Sequence, residues 1–262
     1  MKIQVLGCHG SDMLLYRKGT THSCHTCGFL LDDTVLLDAG TVGTKLSLEA
    51  QTRIEHILLS HLHFDHIKGL PTLADNLSEQ GGPPVVVAGI PEVIQGLRDH
   101  VFNNQVYPDF FKIPTVDRAV LSSQRLTCGE SYRAGKFLCT PIAVNHTVPT
   151  VGFLVEDSVS AILYSGDTFV TDELWETARR HRSLKAVFLE CSYPDRLEQL
   201  AIMSKHLTPR LFGKELAKLG RPDVTIYAYH LKPIFRDQIS KELIQLNLPN
   251  LALLEEGQTI EV

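Results

Sequence analysis

Short apolar runs, each closed by Gly, Asp or Ser, punctuate the chain from its first residues. IQVLG, GFLL, TVLLD, HILLS and VVVAG predict strands over 2–7, 28–31, 34–38, 56–60 and 85–89. Apolar positions then recur at helical spacing over 66–78 and 91–102. A second set of strands is predicted over 117–122, 136–144, 150–156 and 160–164. Helices follow at 172–182, 195–203, 208–219 and 234–246, alternating with apolar strands at 186–190, 224–229 and 251–254. Thr208-Pro209 supplies an N-cap residue and a first-position proline for the helix at 208–219. Strands early in each half, with helices outside them, predict an α/β architecture of two packed sheets covered on both outer sides by helices. The turn-rich stretch Glu79-Gln-Gly-Gly-Pro-Pro84 reads as a surface loop, so residues 1–262 are expected to form one domain.

Composition narrows the function more than the fold. The chain has 262 residues, of which 44% are hydrophobic and 21% charged, which suits a packed core and excludes a disordered chain. A net charge of −5 provides no surplus to hold phosphate backbones, so nucleic acid is not expected as the main partner. The longest apolar runs, such as VVVAGI at 85–90, are far too short to span a membrane. MKIQVLGC reads as a strand and not as a secretory signal. The six cysteines lack a disulfide-framework spacing, which points to reduced thiols and a cytoplasmic location. The 12 histidines change the picture most.

The strand ending at Ser60 runs into His61-Leu-His63-Phe-Asp65-His66. Residues two apart in an extended loop point to the same side, so His61 and His63 can grip one ion while Asp65 and His66 serve a second. Imidazole and carboxylate suit zinc, and also iron or manganese. Two ions need further ligands, and three residues directly after predicted strands are placed to supply them. His146 lies in Val144-Asn-His-Thr147, Asp167 in Tyr164-Ser-Gly-Asp-Thr168, and His230 follows Val224-Thr-Ile-Tyr-Ala-Tyr229.

This ordered set resembles the metallo-β-lactamase-fold hydrolases over nearly the whole chain. The resemblance implies an αββα sandwich with its metals at one edge of the two sheets. It implies that His61, His63 and His146 hold one metal and Asp65, His66 and His230 the other, with Asp167 bridging both. The true β-lactamases of the fold carry a cysteine where Asp167 stands, so a phosphoester- or thioester-cleaving branch is implied. A dimer is usual for the fold.

A second block, Phe188-Leu-Glu190-Cys-Ser-Tyr193 and Met203-Ser-Lys-His206-Leu-Thr-Pro209, narrows the branch. Glu190 and His206 are similar to the Glu and His of the tRNA 3′-processing endonucleases of this fold. A carboxylate can orient an imidazole that then gives a proton to a departing alkoxide; the bland alternative is a strand-end charge and a helix-start residue. The tRNA-gripping arm of those enzymes has no room between His146 and Asp167, about twenty residues apart.

The chain is also similar to the class II 3′,5′-cyclic-nucleotide phosphodiesterases, and more closely. That likeness rests on His100-Val-Phe-Asn-Asn-Gln-Val-Tyr-Pro-Asp-Phe110, Ser204-Lys-His-Leu-Thr-Pro209 and Tyr229-His-Leu-Lys-Pro233. It implies that Asn103 binds a base edge or ribose and that Phe110 stacks on a base. A helix end packing its aromatics into the core fits the same residues. Tyr107 departs from the class, where a tryptophan is expected.

The expected reaction is hydrolysis of cAMP or cGMP to the 5′-monophosphate by a hydroxide held between two metal ions. Glu190, His206 and Asp65 are the candidate catalytic groups. A tRNA-processing or other phosphodiesterase, a glyoxalase II-type thioesterase or lactonase, and a non-catalytic nucleotide-binding protein are the alternatives. His22-Ser-Cys24-His-Thr-Cys27 lacks a second ligand pair for a structural zinc. It is read as a loop facing the site, with Ser23 or His22 on the phosphate.

Overall fold

Two seven-stranded mixed sheets face each other in the computed structural model, which describes residues 1–17 and 19–262. The first sheet runs in the order Thr259–Glu261, Lys2–Gly7, Gly28–Leu31, Val35–Leu37, His56–Leu58, Val85–Gly89, Leu121–Arg125. The second runs Leu251–Leu253, Thr225–Tyr229, Leu184–Glu190, Ala161–Tyr164, Val151–Glu156, Phe137–Ala143, Tyr132–Ala134. Each is antiparallel over one half and parallel over the other. Parallel neighbours need crossovers. Leu48–Gln51, then Phe64–Ile67 with Gly69–Leu77, and Pro91–His100 supply them on the first sheet, and Glu173–Arg180, Glu198–Ser204 with Pro209–Ala217, and Arg236–Gln245 on the second. This is the αββα sandwich expected from the sequence.

The core lies between the sheets. Phe29 of the first sheet meets Tyr164, Phe188 and Tyr229 of the second at ring-centroid distances of 5.5, 5.8 and 5.5 Å, contacts worth about 0.5–1.5 kcal/mol each beyond the area they bury. The strand Leu184–Glu190 reads as an unbroken apolar run because both of its faces are covered. Ala186 and Phe188 join the inter-sheet core, whereas Val187 and Leu189 pack outward against Trp175, Phe212 and Leu243 beneath the helices.

Most predicted elements are present, with shifted ends. The helix expected over 66–78 is interrupted at Lys68, because the Gly69 N–H donates to the Ala39 carbonyl at 2.8 Å. The strand expected over 117–122 begins instead at Leu121, opposite Val85, after a 3₁₀ turn at Val116–Arg118. Thr208 does occupy the N-cap position, but its hydroxyl makes no capping bond. The loop expected at 22–27 is partly a strand. Thr20–Cys24 pairs with Met13–Arg17 in a separate two-stranded sheet whose exposed polar residues carry no burial alternation to read. Among the described residues no helix is long and apolar enough to cross a membrane.

Candidate metal centre and active site

The site is assembled from strand ends. Asp38, His61, Asp167, Glu190 and His230 end or follow Val35–Leu37, His56–Leu58, Ala161–Tyr164, Leu184–Glu190 and Thr225–Tyr229, the crevice where open α/β sheets bind ligands. Gly166 takes a left-handed φ of +59° ahead of Asp167, and a Cβ there would lie 3.1 Å from that of Ser60. His230 itself has φ +65°, held by its N–H donating to the Cys8 carbonyl at 2.7 Å. Such strain persists where surrounding contacts over-determine it.

Two clusters result. One donor atom from each of His61, His63, His146 and Asp167 lies within 4.8 Å of the others, and Asp65, His66 and His230 form a second such group. All seven residues expected as ligands are therefore brought together. Asp65 approaches His230 at 3.4 Å and His66 at 3.9 Å.

Hydrogen bonds outside the clusters orient the rings. Asp38 can only accept, so the Ser60 hydroxyl donates to it at 2.8 Å and in turn accepts from His61 Nδ1 at 2.9 Å. His66 Nδ1 donates to Asp38 at 2.7 Å, and His146 Nδ1 to the Lys205 carbonyl at 3.1 Å. The Nε2 atoms of His61 and His146, carrying lone pairs, then face Asp167 at 3.7 and 3.9 Å, and Nε2 of His66 and of His230 each lie 3.4 Å from it. Acceptor is thus set against acceptor. His61 Nε2 and Asp167 Oδ1 are buried with no hydrogen-bond partner among the described residues, a costly arrangement unless a cation lies between them. The donor set therefore fits a divalent ion, with Asp38 and Ser60 as the outer groups that fix ligand orientation.

The electrostatics agree. Burial keeps the His61 imidazole well below its ordinary pKa, and burial likewise lowers His63 and takes His146 to about 4. Burial would lift Asp167, yet His230 and His66 hold it well below the carboxylate range. Burial would lower His66, but Asp167 and Asp38 push it well above normal. The carboxylates call for positive charge between them.

Glu190 and His206 are also brought together. His206 Nδ1 lies 2.7 Å from Glu190 Oε1, and His206 forms a further donor group with Asp167 and His230. Burial opposes a charged His206, but the Glu190 carboxylate outweighs it and raises the pKa.

The two residues expected as substrate contacts are engaged within the protein. Phe110 is buried against Phe102 and Tyr107, which is the core packing that competed with base stacking. The Asn103 side chain is used within its own turn, donating to the Asp99 carbonyl and accepting from the Gln105 and Val106 N–H groups. Cys24 and Cys27 are buried, and burial with the Asp167 charge pushes the Cys27 thiol well up. His22 and Ser23 are exposed on their strand.

Sequence reasoning missed Asp38, Ser60 and Ser192. Asp38 carries a signal like that of Asp167, an acidic residue directly after an apolar strand, with Gly40 two positions on. The serines carry no such signal.

Fold and site together define a metallo-hydrolase. A family model described as a β-lactamase superfamily domain matches residues 33–229, and the chain belongs to that superfamily. It is 26% identical to the 3′,5′-cyclic-nucleotide phosphodiesterase of Schizosaccharomyces pombe over 211 residues, covering 70% of this chain but only 59% of that protein. It is 27% identical to the Ribonuclease Z of Kineococcus radiotolerans over 241 residues, 74% of each chain. Among solved structures, unliganded yeast PDE1 shares the fold with a TM-score of 0.78 at 21% identity, covering 98% of both chains.

Proposed function

We propose that this protein hydrolyses nucleoside 3′,5′-cyclic phosphates, cAMP or cGMP, to 5′-monophosphates, using two divalent ions, zinc by its ligand set with manganese or iron also suited. The observation that carries the reading is the Glu190–His206 pair at 2.7 Å, set beside the imidazole–aspartate clusters. Bound there, divalent ions supply Lewis acidity to the phosphoryl group and make water a competent nucleophile near neutral pH. His61, His63, His146 and Asp167 would hold one ion, and Asp65, His66 and His230 the other, with Asp167 shared. His206 presents its Nε2 proton to the departing 3′-oxygen, and Glu190 keeps Nδ1 engaged so that this nitrogen faces the site. An alkoxide is a poor leaving group, which is why an acid is needed. The cyclic-nucleotide substrate is supported by the phosphodiesterase relative. A second reading, cleavage of a tRNA precursor, is favoured by the Ribonuclease Z relative. Against it stand the net charge of −5 and the short connections around Val151–Glu156 and Ala161–Tyr164, which fill the space between His146 and Asp167.

The test is chromatography of products from cAMP, cGMP, a 3′-extended tRNA precursor and a thioester, with and without chelator. Chelator-sensitive 5′-AMP or 5′-GMP is expected. Cleavage of the tRNA precursor alone would replace this reading with the second, and thioester cleavage alone would overturn both.

A further inference from the structure

Ser192 lies at the junction of the metal cluster and the Glu190–His206 pair. It is fully buried, and its Oγ is 2.9 Å from Glu190 Oε2, 2.8 Å from His230 Nδ1 and 3.1 Å from His206 Nδ1. A hydroxyl has one proton and two lone pairs, and an ionised carboxylate only accepts. The Ser192 proton therefore goes to Glu190. The Ser192 oxygen must then accept from His230 Nδ1–H, which leaves the His230 Nε2 lone pair facing Asp65 and Asp167, each at 3.4 Å. Glu190 Oε1 meanwhile receives Nδ1–H of His206. One carboxylate thus fixes the ring orientation of two histidines, one directly and one through a serine.

We infer that Ser192 is a positioning residue that couples a metal ligand, His230, to the proton donor, His206, through their shared carboxylate Glu190. This rests on reading His230 as a ligand and His206 as the acid. Glu190, which among the described residues makes no hydrogen bond or ion pair with the seven ligand residues, is accordingly needed for metal retention as well as for proton donation. The arrangement repeats across the sandwich, where Asp38 and Ser60 orient His66 and His61.

The experiment measures metal content per chain during titration with a chelator, together with turnover of bis(p-nitrophenyl) phosphate. Wild type is compared with Ser192→Ala, Ser192→Thr and Glu190→Gln, each first checked for folding by circular dichroism. Ser192→Ala is expected to weaken metal retention by about tenfold to a hundredfold and to lower kcat with little change in KM. Ser192→Thr, which keeps the hydroxyl, should restore retention. Glu190→Gln should weaken retention even though it faces no ligand directly, and it decides the matter if Ser192→Ala does not fold. Wild-type retention in folded Ser192→Ala, or in Glu190→Gln, would overturn the inference while leaving the metal centre in place. Absence of metal from the wild-type protein would overturn both.

Discussion

The two sheets contribute to the site in opposite ways. The first sends four metal-group residues from one loop, His61 to His66, whose mutual placement is set within six residues of chain. The second sends His146, Asp167, Glu190, His206 and His230 from separate strand and helix ends, which meet only because the strands stand in register, with Glu190 opposite Tyr229 and Phe188 opposite Tyr164. Each side then steadies two of its histidines with one carboxylate and one serine, His66 and His61 by Asp38 with Ser60, and His206 and His230 by Glu190 with Ser192. The difference teaches where the site is robust. On the first sheet the covalent chain does the positioning, whereas on the second, packing does.

The largest effect should come where the two sides meet. Asp167→Ala removes the carboxylate that four imidazoles face, so metal and activity should be lost together, as read by elemental analysis and a diester assay. A variant that retained two ions per chain would remove Asp167 from the shared position. Next, His206→Ala should keep its metal and lower turnover by about 10²–10⁴-fold, separating the acid from the ligands; near-normal turnover would take His206 out of the mechanism. Asp38→Asn tests the first sheet's support. Replacing the charged carboxylate that His66 and Ser60 bond by a neutral amide with one acceptor oxygen should weaken metal binding by about tenfold to a hundredfold, and unchanged chelator resistance would show that the loop alone suffices.

The smallest effect concerns the strap behind His230. Glu256 receives His9 Nδ1 at 2.9 Å, His25 Nδ1 at 2.7 Å and Lys45 at 3.1 Å, and His9 bridges to Leu231. Burial would raise its pKa, but those partners take it from an ordinary 4.5 down to about 2. A group with a depressed folded pKa stabilises the fold above its unfolded value and loses that contribution as pH falls toward the folded one. The stability difference between wild type and Glu256→Gln, measured by denaturant titration, should therefore shrink as pH falls from 4.5 toward 2. A difference independent of pH would show that the carboxylate charge is not what holds the strap.

The contrast between the sheets also explains what was readable in the chain. His61, His63, Asp65 and His66 were legible from their closeness in sequence, since alternation in an extended loop pairs His61 with His63 and the helix that follows at once carries Asp65 and His66. Strand-end His146, Asp167 and His230 were legible from their setting after apolar runs. The surroundings of Asn103 and Phe110 were not legible, because the sequence of a turn does not reveal whether its amide and ring are used internally. Phe110 went to the core with Phe102, and Asn103 satisfied its own backbone neighbours.

By itself, then, the sequence determined the ligand types, their order and the alternation of strands and helices that builds a two-sheet sandwich. Tertiary structure alone decided the strand order, the separate hairpin of Met13–Arg17 and Thr20–Cys24, and the outer groups that orient His61, His66, His206 and His230. The reason is range. The bond from His66 to Asp38 spans 28 residues and that from Ser192 to His230 spans 38. A serine or an aspartate acquires such a role only when distant strands close around it, since nothing in its immediate neighbours differs from a residue that merely ends a strand.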